Sequence, residues 1–96
     1  MEEKHLDDER RKITSQALWD MNISPEEFMG IIEGHIVRKW PDRGFCVARF
    51  LESVNWFDVT KVIQPRDICG LWAEANKYVR NSSIKAGMDF ACRILR

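Results

Sequence analysis

Apolar residues recur along this chain with a helical period, and turn-forming residues break them into short segments. In Asn22-Ile23-Ser24-Pro25-Glu26-Glu27, Ser24 suits an N-cap, Pro25 the first helical position, and Glu27 completes a capping box. Behind it Phe28, Ile31, Ile32, His35, Ile36 and Trp40 fall at helical spacing, which predicts one helix running to Pro41. Asp42 is placed to cap a third segment carrying Phe45, Val47, Ala48, Phe50, Leu51 and Val54, which Asn55 breaks. A short helix is expected over Trp56 to Ile63, with a strand as the rival because of its β-branched residues. After Gln64-Pro65, the residues Ile68, Leu71, Trp72, Ala75 and Val79 form a clean apolar stripe. Asn81-Ser82-Ser83 reads as a turn with a capping serine. The last helix then presents Ile84, Met88, Ala91, Cys92 and Leu95 inward. Residues 2–12 are nearly all charged, acids first and bases last, as suits a solvated helix start or an arm.

The pattern predicts an all-α fold: a compact bundle of five to six short helices. The expected division is a flexible charged arm over 1–12 and a single helical domain over 13–96. The chain has 96 residues, enough for one domain only. Its 45% hydrophobic and 31% charged residues fit a packed soluble chain and exclude a disordered one. No apolar run approaches the roughly 20 residues of a bilayer span, so no membrane partner is expected. The charged start does not resemble a signal peptide, and the expected location is the cytoplasm.

Charge changes this picture only when divided. Formal net charge is zero, but residues 1–33 hold nine acids and four bases, and residues 34–96 six acids and eleven bases. Such a split suits either a nucleic-acid face or association of opposite halves. The three cysteines, Cys46, Cys69 and Cys92, are odd in number and widely spaced, so reduced and mostly buried thiols are expected. Cys46 stands near a helix N-terminus with Arg43 and Arg49 close in sequence, which would lower its pKa.

The chain contains no phosphate-binding glycine loop, dinucleotide fingerprint, zinc-protease motif or serine-hydrolase elbow. His35 lies on an apolar stripe, where histidine is ordinarily a packing residue. No catalysis, no metal and no cofactor are therefore expected. The leading expectation is protein–protein association, with a protein partner or a second copy. Trp40 and Trp56, both flanking turns, are the expected anchors. Gly30 and Gly34, four apart within the predicted helix, would offer a smooth strip for a neighbouring helix. The alternative is a DNA-binding regulator whose helix–turn–helix covers residues 56–80, with Lys61, Arg66, Asn76, Lys77 and Arg80 facing nucleic acid.

One stretch resembles a known family. Leu18-Trp19-Asp20-Met21-Asn22, followed by Ile31-Ile32-Glu33, Val37 and Gly44, is similar to a family of short uncharacterised bacterial proteins with an L-F-W-D-like start. The similarity covers about residues 17–45. It departs at Ala17, where a bulky residue is usual, and at Trp40-Pro41. The resemblance implies a small helical partner or an antitoxin-like protein and carries over no catalytic residue. Trp19-Asp20 also reads as a plain anchor and cap.

Overall fold

The computed structural model describes residues 8–18 and 20–95. Six helices follow in order: α1 (Asp8–Ser15), α2 (Pro25–Glu33), α3 (Arg43–Ser53), α4 (Trp56–Val62), α5 (Pro65–Ala75) and α6 (Ser82–Leu95), with a 3₁₀ turn at Asn76–Tyr78. No strand occurs among the described residues, so residues 56–62 are helical and the strand alternative falls. Residues 8–12 of the expected arm form the solvated first turns of α1; residues 1–7 and Trp19 lie outside the described residues.

Local chemistry sets each boundary. Ser24 Oγ accepts from the Glu27 N–H at 3.1 Å while Glu27 Oε1 accepts from the Ser24 N–H at 3.0 Å, the reciprocal box expected for α2. That N–H bond, followed by the ion pair with Arg38, holds the Glu27 carboxyl below the usual range. Asp42 and Asn55 accept from Phe45 and Asp58 N–H groups and so start α3 and α4. At α6 the cap is Asn81 rather than a serine. Its Oδ1 accepts from both Ser83 and Ile84 N–H.

α2 ends well before Pro41. Gly34 adopts φ +89°, a left-handed cap, and its N–H returns to the Gly30 and Ile31 carbonyls. His35 therefore lies beyond the helix and is exposed, its Nε2 3.5 Å from Glu33 Oε1. The glycine strip expected of Gly30 and Gly34 does not form. Ile36 folds back over Gly30, where a Cβ would stand 2.7 Å from Ile36 Cδ1, and Gly34 meets the Arg43 guanidinium.

The glycine that admits a second helix is Gly44. A Cβ there would lie 2.3 Å from the Glu74 carbonyl oxygen, so α3 and α5 touch backbone to backbone. These two helices form the centre of the bundle. Phe28, Val47, Phe50, Val59, Ile68, Trp72 and Met88 are among its buried side chains. Gly44→Ala is expected to push α3 from α5 and cost about 1–3 kcal/mol, the range for overpacking. Chemical denaturation of the variant checks this, and an unchanged midpoint would refute the close approach.

The cysteines also differ from expectation. Cys69 on α5 and Cys92 on α6 form a disulfide, with Cα atoms 5.3 Å apart. Two well-separated thiols become partners because the apolar stripes of α5 and α6 face each other. Cys46 is the remaining thiol, and it is fully buried. Burial, with Asp42 adding to it, pushes its pKa up to about 12, the reverse of the activation its neighbouring arginines suggest.

Candidate association surface

Two corners of the chain create an apolar depression. α3 stops at Val54, and Asn55 starts α4 immediately, which sets Trp56 at the rim. Opposite, Glu52 Oε2 accepts from the Arg80 and Asn81 N–H groups at 2.7 and 3.0 Å. This pins the start of α6 to the end of α3. Between them opens a groove of about 540 Å³. Leu51, Val54, Val59 and Trp56 line one side, and Ile84, Gly87, Met88 and Ala91 of α6 line the other. At its rim Glu52 holds the two N–H groups, and Asn55 bonds Asp58. Beyond the α6 wall, Phe90 and Ile94 stand 60% and 64% exposed.

A second depression adjoins the first and shares Glu52 with it. Trp40 lies there, its ring centroid 4.5 Å from Phe45 and 5.9 Å from Tyr78. Tyr78 donates its hydroxyl to Asp42 Oδ2 at 2.8 Å, a bond that raises the phenol pKa. Lys77 sits over the Tyr78 ring, and Arg49 and Arg80 complete the rim. Thus Trp40 and Trp56, both expected as anchors, occupy neighbouring hollows.

The five residues expected to face nucleic acid are dispersed. Lys61 and Arg66 line a hollow among α2, α4 and α5, while Lys77 and Arg80 line the aromatic one. Lys61 is paired with Glu9 and Asp58. The Asn76 amide donates to the Trp72 and Ala73 carbonyls and closes the end of α5. Asp67 and Glu74 stand on the exposed side of α5, where they would face phosphates.

Other site chemistry is sparse. Among the described residues no group of three His, Cys, Asp or Glu side chains is placed to hold a metal ion. None of their buried side-chain polar atoms lacks a hydrogen-bond partner. Among them, too, no helix is long and apolar enough to cross a membrane. Comparison with protein-family models, curated proteins and solved structures gives no match for this chain.

The exposed edge of α6 beside the groove is the part sequence reasoning missed. The inward stripe at Ile84, Met88 and Ala91 was legible. The signal passed over was Phe90 and Ile94, one turn apart beside that stripe, which widen the apolar arc of α6 past what α5 can cover.

Proposed function

We propose that this protein works without catalysis, by protein–protein association through the groove between α4 and α6. The observation carrying this reading is the groove itself: apolar walls, Glu52 and Asn55 at its rim already bonded, and exposed Trp56, Phe90 and Ile94 beside it. An amphipathic helix presents what such a groove takes, apolar anchors at i, i+3, i+4 and i+7. Apolar patches of a few hundred Å² on small soluble domains commonly mark such contacts. The DNA-binding alternative has less support, because its expected contacts are dispersed and accompanied by acids. The Cys69–Cys92 bridge weighs against a reducing cytoplasm as the working compartment, since disulfides persist mainly in oxidising ones.

Tryptophan indole N–H resonances test the reading. With Trp56 assigned through Trp56→Phe, the chain is titrated with a panel of designed amphipathic helical peptides and, separately, with duplex DNA at low salt. The Trp56 signal is expected to move with the peptides while buried Trp72 stays fixed, and DNA is expected to move neither. A Trp56 signal indifferent to every peptide overturns the groove as a docking face. Salt-sensitive shifts with DNA would favour the regulator instead.

A further inference from the structure

We propose that the hollow around Trp40 binds one nucleotide unit, its base stacked on the exposed indole and its phosphate held by Lys77 and Arg80. The site lies beside the groove and does not rest on the association reading.

Three parts of the chain build it. The segment between α2 and α3 brings Trp40, and the segment between α5 and α6 brings Lys77, Tyr78 and Arg80. Phe45, Ala48, Arg49 and Glu52 come from one face of α3, by their spacings of three and four. Together they enclose about 590 Å³, an ordinary size for a small-ligand site. Phe45 packs against Trp40 with ring planes inclined by 45°, and Tyr78 meets it edge-on. The two rings brace the indole, yet Trp40 stays 59% exposed. A braced, largely open aromatic ring is a platform on which a planar group can stack.

Charge decides which planar group. Lys77, Arg80 and Arg49 surround the platform. Arg49 is held by Asp20 and the Ala17 carbonyl. Among the described residues no acid pairs with the side chains of Lys77 or Arg80. The nearby acids are engaged elsewhere. Asp42 accepts from the Phe45 N–H and the Tyr78 hydroxyl, and Glu52 from the backbone N–H groups of Arg80 and Asn81. Aromatic rings alone would also suit a cation, but Lys77 and Arg80 repel one. An uncharged aromatic would leave both cations idle. A base carrying a phosphate uses platform and cations together, the combination by which proteins hold unpaired nucleotides. In a duplex the base faces are covered by their neighbours, so the unit is a free nucleotide or part of a single strand.

Titration with adenosine 5′-monophosphate and with a short single-stranded oligoadenylate tests the site. The readout is the Trp40 indole N–H, assigned through Trp40→Phe. Both ligands are expected to move it while buried Trp72 stays fixed, and inorganic phosphate should move it far less. Comparable affinities make the free nucleotide the source, and a clearly tighter oligoadenylate the single strand. With a fluorescent oligoadenylate, Trp40→Ala should weaken binding at least fivefold, about the value of one stacked base. The double variant Lys77→Gln, Arg80→Gln should do the same and flatten the loss of affinity between about 50 and 200 mM salt. Both of these positions are exposed, and Glu52 holds only the backbone of Arg80, so the double variant should melt with the wild type. Arg66→Gln, in the hollow among α2, α4 and α5, should leave affinity unchanged. A Trp40 signal unmoved by about 5 mM nucleotide and by the oligoadenylate overturns the site. Phosphate acting as strongly as the nucleotide, or affinity indifferent to Trp40→Ala, overturns the stacking. Affinity indifferent to the double variant overturns the placement of the phosphate.

Discussion

Trp72→Ala is expected to destabilise the domain by about 3–5 kcal/mol. The side chain is only 3% exposed and lies at the centre of the stripe that α5 presents to the core. Its indole N–H also donates to Asp89 Oδ1, linking α5 to α6. Truncation leaves a cavity of aromatic size and strips a partner from a carboxylate at the same time. In a domain with about 5–15 kcal/mol in total, a large part of the folded population would be lost. The melting temperature should fall by more than about 12 °C, at roughly 4–8 °C per kcal/mol for this size. Trp72→Phe keeps most of the volume and loses the hydrogen bond, so a drop of about 1–2 kcal/mol is expected from it. A loss below about 1 kcal/mol in the alanine variant would contradict the assigned face of α5.

Opening the disulfide should have the next largest effect. Cys69 and Cys92 are 23 residues apart, and closing a loop of that length restricts the unfolded chain by about 3.5 kcal/mol in the chain-entropy account. Cys69→Ser, Cys92→Ser and the double variant should therefore melt alike, each well below the oxidised protein. A dithiol reductant should lower the wild-type melt and leave the three variants where they are. Equal melts for oxidised and reduced wild type would show that the bridge adds no stability. Because α6 forms one wall of the groove, the same reduction should also weaken binding at Trp56.

Short-range chemistry was the legible part of this sequence. The Ser24–Glu27 box, the cap at Asp42, the break at Asn55 and the Ile68–Trp72–Ala75 stripe each depend on residues within a few positions, and each appears where read. What failed needed knowledge of a distant neighbour. Ile36 and Trp40 continue the period of α2 in the sequence, but Gly34 takes the left-handed cap and Ile36 closes over Gly30. Gly44 could not be singled out until α5 was known to lie against it. The cysteine pairing depends on α5 and α6 meeting face to face, which spacing alone does not reveal. The groove was half legible: the inward stripe of α6 predicts one wall, and only the position of Trp56 across from it makes a cleft.

The covalent link between α5 and α6 also decides how the chain carries mechanical load. Tension applied from outside the two cysteines passes from Cys69 straight to Cys92 through sulfur. The intervening residues, which include the 3₁₀ turn and most of α6, hang as a closed ring outside the line of force. Fully stretched, the oxidised chain is shorter than the reduced one by roughly 75 Å, at about 3.3–3.6 Å per residue bypassed. A pull that unravels α1 through α4 would thus leave the α6 wall looped to the last strand of tensed chain, held by a bond that stretching does not open.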